Sequence, residues 1–178
     1  MKVITISGHA ESGKDTAANV MKHTMNDYGK KALITHYADL LKYICNAFLE
    51  WDGKKDEAGR TMLQYVGTDL IRDEYPDYWV DFIIMVLDKL SGFGKWDYVI
   101  IPDARFPNEI NKLKQDGFDV VHIRIVRSSH GNNLSDVQQA HISETALDSI
   151  VPDFILKNNS SKVDFENKIA KWTKEFIA

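Results

Sequence analysis

The 178-residue chain is 44% apolar and 27% charged with only 4 prolines, a composition typical of a globular protein and unlike that of a disordered or fibrous one. Its formal net charge of -4 provides no overall basic field, so a nucleic-acid polymer is not expected as its main partner. A local basic cleft for a small anion is still compatible with this charge. At this length we expect a single domain over residues 1–178.

The cysteine content and the apolar runs of the sequence indicate the cellular compartment. The single cysteine, Cys45, excludes an internal disulfide and a multi-cysteine metal site. The apolar N-terminal stretch is too short for a signal peptide, and no run reaches the roughly 18 apolar residues of a membrane span. We therefore expect a cytoplasmic protein with no membrane partner.

Five short segments rich in Val, Ile or aromatic residues predict strands. They are residues 3–7, 32–37, 98–102, 120–126 and 154–156. Several are apolar on both faces, which favours a parallel sheet covered by helices on each side.

Helical patterns lie between and after these strands. The first ends near Gly29, where a C-terminal cap is expected, and the segment 78–90 is apolar around most of its circumference. The last follows Ser161 and Asp164, which are spaced as in a capping box. The alternation predicts an α/β fold with a three-layer αβα arrangement and a five-stranded parallel sheet. Residues 52–90, a helical insertion, and the polar segment 128–139 interrupt this rhythm.

A glycine-rich loop follows the first predicted strand and opens the first predicted helix, which is the context that the P-loop pattern requires. Glycines allow a tight turn in which successive N–H groups converge on phosphate oxygens, and the helix N-terminus adds partial positive charge. Lys14 would bring a full charge to the β- and γ-phosphates. The residues predicted to bind ATP are Gly8, Glu11, Ser12, Gly13, Lys14, Asp15 and Thr16.

Two acidic residues are candidate ligands of Mg²⁺. Asp15 stands where the strict pattern has Ser or Thr, and either it approaches the metal or it only favours the helix N-terminus; both interpretations stay open. Asp103 directly follows the strand 98–102, as expected of the residue that holds the water shell of Mg²⁺ beside a P-loop.

Phosphoryl transfer requires positive charge around the transferring oxygens, because the enzyme mainly positions and neutralises its substrates. Arg72, Arg105 and Arg127 lie near the ends of predicted strands or just beyond them. We take Lys14, Asp103 and Arg127 as the candidate catalytic residues.

An ordered set of motifs resembles the phage deoxynucleoside monophosphate kinases, from residue 3 to about residue 147. The motifs, in chain order, are SGKDT (12–16), ADLLK (38–42), LQYVGTD (63–69) followed by Arg72, PDYW (76–79), DARFPNE (103–109) and HISE (141–144). SGKDT alone is moderately specific, and the ordered set is much more so.

The resemblance implies a P-loop NTPase fold of the nucleoside-monophosphate-kinase type, with ATP and Mg²⁺ as donor and a deoxynucleoside monophosphate as acceptor. Residues 52–90 would then bind the acceptor and residues 128–139 would form a short lid, with Arg127 at its base closing on the transferring phosphate. Thr16 would take a phosphate contact. The implied substrate-binding residues are Lys42, Arg72, Trp79, Arg105 and Glu144. A phage origin would place the enzyme in the host cytoplasm.

The proposed lid departs from the family pattern because it has no arginine of its own. Arg127 and Arg124 must then suffice, or a partner contributes; His130 is a weaker phosphate-contact candidate. A phosphomevalonate-kinase-like enzyme and a nucleotide-binding regulatory ATPase module remain as alternatives. Base preference, the discrimination of deoxyribose from ribose and a homodimer stay open. The roles of His141, Ser143 and Glu144 stay open as well, although the motif match places Glu144 among the implied substrate-binding residues.

Overall fold

The computed structural model describes residues 1–128 and 134–178. Within them, five strands form one parallel sheet in the order β2-β3-β1-β4-β5. The strands are β1 (Lys2–Ser7), β2 (Ala32–Ile34), β3 (Tyr98–Ile101), β4 (Asp119–Val126) and β5 (Phe154–Lys157). The parallel sheet predicted from the two-sided apolar strands is confirmed.

Helices connect and cover these strands. A π-helical segment, Tyr65–Leu70, lies between two of the helices. The helices are α1 (Lys14–Asp27), α2 (Ala38–Leu49), α3 (Glu57–Gln64), α4 (Ile71–Glu74), α5 (Tyr78–Gly92), α6 (Asn108–Gln115), α7 (Asp136–Ala140), α8 (Ile142–Thr145) and α9 (Lys162–Ile177). None of those described is long and apolar enough to cross a membrane.

The two faces of the sheet carry separate apolar cores, because side chains alternate along each strand. On one face Val3 packs in a cluster with residues of α2, α5 and α6. On the other, Ile4 and Ile6 pack with α1 and α9, including the fully buried Phe165. This is the predicted three-layer αβα arrangement.

The second strand is shorter than predicted. It ends at Ile34, although Thr35 N still donates to Ile100 O at 3.1 Å. His36 and Tyr37 turn into α2 instead, because the carboxylate of Asp103 accepts hydrogen bonds from the backbone N–H groups at this helix start. The prediction of a strand over 32–37 was therefore wrong in its last three residues.

The predicted C-terminal cap of α1 is present, and so is the Ser161 half of the capping box predicted for α9. Gly29 adopts a φ of 73°, and Lys30 N closes the end of α1 by donating to Met25 O at 2.9 Å. Ser161 accepts from Asp164 N at 3.2 Å at the start of α9. Each cap satisfies a backbone group that the helix end leaves without an intrahelical partner.

The predicted insertion, 52–90, corresponds to α3, the π-helical segment, α4 and α5. Of the predicted lid, 128–139, residues 129–133 and with them His130 lie outside the described residues. The remainder includes α7, which begins with a capping box between Ser135 and Gln138. Since β1 lies between β3 and β4, the carboxyl ends of these strands border the crevice where α/β sheets bind ligands.

Candidate active site

The loop between β1 and α1 has the backbone geometry of a phosphate loop. Gly8 and Gly13 adopt φ values of 145° and 102°. A Cβ at Gly8 would lie 2.4 Å from Ile125 O, and one at Gly13 would lie 2.6 Å from Nδ2 of Asn158. Both positions therefore require glycine, because any side chain adds strain and a clash.

Lys14 crosses this loop. Its Nζ donates to Gly8 O at 2.6 Å and to His9 O at 2.9 Å. Burial, together with the positive charge of Arg105, lowers the pKa of Lys14 to about 8. The electrostatic environment thus favours a negatively charged group beside the ammonium.

Two other loop residues have unusual environments. Glu11 has a left-handed φ of 61°, a strained conformation for a residue with a side chain. Ser12 is buried, and its Oγ has no hydrogen-bond partner within residues 1–128 and 134–178. An orphaned hydroxyl in a glycine loop fits a loop that binds phosphate oxygens.

Asn158 is a support of this loop that the sequence analysis missed. It directly follows β5, and its Nδ2 donates to Ser12 O at 2.8 Å. The only sequence signal was its position at the end of a strand, since nothing local distinguishes it from an ordinary turn asparagine.

A cleft of about 370 Å³ opens beside the loop at the carboxyl edge of the sheet. The predicted site residues that line it are Glu11, Lys14, Asp15, Lys42, Arg72, Trp79, Asp103, Arg105 and Glu144. An adjoining groove of about 320 Å³ is lined by Arg127, Ser12 and again by Glu11 and Glu144. Thr16 is partly buried in the first turn of α1. The structure thus brings the predicted residues to one edge of the sheet.

The two candidate metal ligands lie on this cleft. Each carboxylate oxygen of Asp103 accepts one backbone hydrogen bond, from Tyr37 N and from Ala38 N, both at 3.0 Å. Asp15 is mostly exposed, and the nearby imidazole of His36 lowers its pKa. No group of three or more His, Cys, Asp or Glu among the described residues is arranged to hold a metal on its own.

His36 was not singled out in the sequence. Its Nε2 lies 3.8 Å from Asp15 and its Nδ1 3.2 Å from Asp39, and the nearby carboxylate of Asp15 raises its pKa. Asp39 in turn pairs with Nζ of Lys42 at 3.1 Å. A short chain of alternating acidic and basic side chains therefore connects the start of α1 with Lys42 in α2.

Arg105 and Glu144 connect the P-loop with the opposite wall. Nη1 of Arg105 donates to Ser143 O at 3.0 Å and pairs with Oε1 of Glu144. The other oxygen of Glu144 accepts from Ala10 N in the loop at 3.1 Å. The side chain of Glu144 is only 5% exposed, so this bridge is held in a fixed position.

Arg72 lies deeper in the wall than a solvent-facing arginine. Its Nη2 pairs with Oε1 of Glu109 at 2.6 Å, and its Nη1 donates to Pro76 O and to Asn108. The guanidinium also stacks 3.9 Å above the ring of Phe106. Burial raises the pKa of Glu109, and the charge of Arg72 opposes that rise.

Trp79 forms the floor of the cleft. It is 3% exposed, and its Nε1 donates to Gly67 O in the π-helical segment at 2.8 Å. Tyr78 meets its ring edge-to-face at 4.9 Å. The indole thus presents an apolar surface whose polar atom is already satisfied.

The HISE motif, whose first and third residues had no assigned role, forms a support beside the cleft. Nε2 of His141 lies 3.3 Å from Asp69 in the π-helical segment, and its Nδ1 lies 2.8 Å from Ser143 Oγ. Since Ser143 O accepts from Arg105, these residues connect the insertion with that arginine.

The parallel αβα sheet with a glycine loop at the carboxyl edge of β1 defines a P-loop protein. The fold is similar to that of the APS kinase of Mycobacterium tuberculosis, with a TM-score of 0.52 and 13% identity over 97% of this chain and 96% of that one. It is also similar to the thymidylate kinase of Ehrlichia chaffeensis, with a TM-score of 0.51 and 14% identity over 99% and 98%.

The sequence profile of the deoxynucleotide monophosphate kinase family matches residues 27–169, and the chain belongs to this family. It is 29% identical over 175 residues to the deoxynucleotide monophosphate kinase of Enterobacteria phage T4, covering 95% of this chain and 66% of that one. A homologue from Acanthamoeba polyphaga mimivirus is 31% identical over 199 residues, which covers 95% of this chain and 94% of that protein. The predicted fold and the predicted family are confirmed.

Proposed function

We propose that this chain transfers the γ-phosphate of ATP to a deoxynucleoside monophosphate, giving ADP and a deoxynucleoside diphosphate. One observation carries the proposal: the phosphate loop and Arg105 face one cleft and are tied together by Glu144. A donor phosphate on the loop and an acceptor phosphate on Arg105 would therefore be held at a fixed separation. Family membership supports this assignment.

On the donor side, the loop N–H groups, Ser12 and Thr16 would bind phosphate oxygens, and Lys14 would reach the β- and γ-phosphates. Phosphate would replace the carbonyl contacts that Lys14 makes with its own loop. These groups stabilise the charge on the transferring oxygens and need no rearrangement of the sheet.

Asp15 and Asp103 fit a Mg²⁺ site of the nucleotide-dependent kind, which uses one or two carboxylates together with substrate phosphates and water. Both line the cleft beside Lys14. Bound Mg²⁺ would neutralise charge on the β- and γ-phosphate oxygens. The backbone bonds to Asp103 hold its carboxylate in place for water-mediated contact.

On the acceptor side, Arg105 and Lys42 would bind the monophosphate. Within the described part of the chain, the side chain of Arg105 donates through Nη1, so its fork still has other N–H groups for a ligand in the cleft. Arg72 would mainly hold the wall in shape, because Glu109 already pairs with its charge. Trp79 would contact the nucleoside from below.

Arg127 would close the site from the base of the lid. Its Nη1 donates to Glu11 O at 3.3 Å, which places it at the edge of the phosphate loop. Closure of residues 128–139 over the cleft would exclude water and protect the transferred group from hydrolysis.

We also propose that the substrates are small nucleotides and that the enzyme acts in the host cytoplasm. We propose a homodimer as the assembly, a possibility that the sequence analysis left open. Light scattering coupled to size-exclusion chromatography tests it, because a monomer mass at the enzyme's working concentration would contradict it.

The experiment that tests the activity is coupled ADP release with ATP, Mg²⁺ and a panel of dNMPs, NMPs and phosphomevalonate, with a no-acceptor control. Stimulation by one or more dNMPs is expected. Stimulation by phosphomevalonate alone would contradict the proposal and favour a small-molecule kinase. No stimulation of ADP release by any acceptor, despite ATP binding, would instead favour a regulatory ATPase module.

Lys14→Ala is the matched loss-of-function control for this assay. We expect it to abolish transfer and to leave the far-ultraviolet circular dichroism spectrum unchanged, because Lys14 lies at the edge of the cleft and not in either apolar core. Full turnover by a natively folded Lys14→Ala would show that this loop is not the donor site.

A further inference from the structure

Few cationic side chains near the predicted lid can contact the transferring phosphoryl group. Residues 128–139 contain no arginine. Arg124, the other candidate, directs its Nη1 to Leu147 O at 2.6 Å and pairs through Nη2 with Asp148. Arg124 is therefore paired with residues that follow the lid in the chain. Arg127 reaches the phosphate loop, but only from one side.

A second arginine reaches the same loop residue from the opposite wall. Arg60 of α3 lines the main cleft, and its Nη2 lies 3.4 Å from Oε1 of Glu11. Arg127 meets the carbonyl oxygen of that glutamate. Two guanidinium groups therefore contact the same residue of the phosphate loop, one at its carboxylate and the other at its backbone oxygen.

The chain upstream of Arg60 is built to hold this side chain in one direction. Asp56 caps α3 by accepting from Gly59 N at 2.9 Å. Gly59 is buried so closely against the preceding loop that a Cβ there would lie 2.1 Å from Lys54 O. Nε of Arg60 then donates to Lys55 O at 2.7 Å. These contacts hold the base of the Arg60 side chain in place, as a preorganised catalytic group requires.

Helix α3 is also joined to the lid. Gln138 in α7 is only 4% exposed, and its Nε2 donates to Glu57 O at 3.1 Å and to Thr61 Oγ1 at 3.0 Å. Glu57 and Thr61 flank Arg60 on the same short helix. A movement of α7 is thereby coupled to the helix that carries Arg60.

We propose that Arg60 is a catalytic residue that contacts the transferring γ-phosphoryl group and supplies the positive charge that the lid lacks. The inference rests on the proposed function. The contact with Glu11 is a single one at 3.4 Å, so a phosphate oxygen can replace the carboxylate without leaving the guanidinium unpaired.

The role assigned to Arg60 is electrostatic. The bond between the γ-phosphorus and the β,γ-bridging oxygen breaks, and a bond forms between that phosphorus and an oxygen of the acceptor monophosphate. Arg60 stays protonated throughout and stabilises the charge on the transferring oxygens and on the departing ADP.

The test compares Arg60→Met, which keeps an unbranched apolar stem, with Arg60→Lys and with Lys54→Ala as the control. Lys54 carries an exposed cation in the same insertion and pairs with Asp52 in solvent. We expect Arg60→Met to lower kcat by about 100- to 1000-fold, the usual cost of removing one transition-state donor. KM for ATP and for the dNMP should stay within about threefold, and Arg60→Lys should recover part of the loss.

A second readout separates catalysis from support of the fold. Binding of ADP with aluminium fluoride mimics the charge of the transferring phosphoryl group, whereas ADP alone does not. Arg60→Met should weaken binding of ADP with aluminium fluoride by at least about tenfold and leave ADP binding unchanged. Lys54→Ala should match the wild type in both.

Three results would overturn the inference. A kcat of Arg60→Met within about threefold of the wild type would show that Arg60 only ties α3 to the loop. A raised dNMP KM with unchanged kcat would place it at the ground-state acceptor. Equal binding of ADP with aluminium fluoride to the wild type and to Arg60→Met would also overturn the inference. This readout does not depend on acceptor use, whereas a wild type that used no acceptor would contradict the proposed function separately.

Discussion

Glu109 and Arg72 form a buried ion pair, with Oε1 of the glutamate 2.6 Å from Nη2 of the arginine. The second carboxylate oxygen accepts from the backbone N–H groups of Arg105 and Phe106 at 2.7 and 3.1 Å. One carboxylate therefore fixes both α4 and the segment that carries Arg105. Removing it would leave a buried guanidinium without its partner and release two backbone donors.

We expect Glu109→Ala to lower the free energy of unfolding by about 3–5 kcal/mol, the usual cost of breaking a buried pair. Urea denaturation followed by circular dichroism measures this change. Asp88→Ala is the control, because Asp88 pairs with Lys89 in solvent and its loss should change stability by less than about 0.5 kcal/mol. Equal effects of the two variants would contradict the structural role of the pair.

Arg105→Ala should weaken use of the acceptor far more than binding of ATP. A charge-assisted hydrogen bond contributes about 1.5–3 kcal/mol, which corresponds to a rise of roughly 10- to 150-fold in the dNMP KM. Steady-state kinetics gives this KM, and ATP titration should give a Kd within about threefold of the wild type.

The matched cation for Arg105 is the exposed Lys114 on α6, which is not among the residues that line the cleft. Lys114→Ala should leave both constants unchanged. A loss of ATP affinity in Arg105→Ala as large as the loss of acceptor use would place Arg105 on the donor side.

Gln138→Ala should loosen the contact between the lid and the insertion. Its buried amide supplies the hydrogen bonds to Glu57 and Thr61, and alanine would leave the Glu57 carbonyl without that donor. Hydrogen exchange followed by mass spectrometry should show faster exchange in both α3 and α7. The neighbouring Gln139 is exposed, and among residues 1–128 and 134–178 its side chain bonds only to Leu134 O, so Gln139→Ala should change α7 alone or neither helix. Unchanged exchange in α3 of Gln138→Ala would show that the two helices are not coupled.

His122 makes stability depend on pH. It lies on β4 with Nε2 2.8 Å from Ser7 Oγ, and burial lowers its pKa from 6.5 to about 4. A depressed pKa favours the neutral ring in the folded state, so this stability is complete above pH 6.5 and is lost as the pH falls towards 4. From pH 7 to pH 5 the contribution should fall by about 2 kcal/mol.

Urea midpoints between pH 7.5 and 4.5 measure this dependence. His122→Gln should flatten the fall in stability whatever its own stability at pH 7, because glutamine has no proton to gain. His23→Gln, at an exposed histidine of α1, should keep the wild-type slope. A wild-type slope in His122→Gln would assign the pH dependence to other groups.

The fold was largely predictable because its signals are local. Alternation of apolar strands and amphipathic helices recurs along the chain, and residues such as Gly29 and Ser161 mark helix ends by their chemistry. The end of β2 was not predictable, because it is set by Asp103, a residue far along the chain whose carboxylate caps α2. Long-range contacts of this kind produce no signal in the sequence of the segment that they terminate.

The site was predictable where one motif contains its own geometry, as in the loop from Gly8 to Lys14. Arg60, His36 and Asn158 were missed because each has an ordinary neighbourhood in sequence and acquires its role from residues distant in the chain. Arg72 shows the reverse case: its motif indicated a phosphate contact, and the structure shows its charge paired with Glu109. Whether it also meets the acceptor stays a prediction.

Gly59→Ala tests whether the position of α3 matters for turnover. The added methyl group would lie 2.1 Å from Lys54 O and 2.8 Å from Nε1 of Trp51, so the helix start must shift. Overpacking of this kind costs about 1–3 kcal/mol of stability. Because Arg60 is the next residue, the shift should also lower kcat, even at temperatures where the protein remains folded.

The control is Gly92→Ala at the end of α5, where an added Cβ meets nothing within 4 Å. It should leave kcat unchanged and stabilise the protein by up to about 1 kcal/mol, because alanine restricts the unfolded chain. Thermal unfolding and steady-state kinetics on both variants separate the two effects. A Gly59→Ala protein that is less stable but turns over at the wild-type rate would show that catalysis tolerates displacement of α3, and would count against a direct role for Arg60.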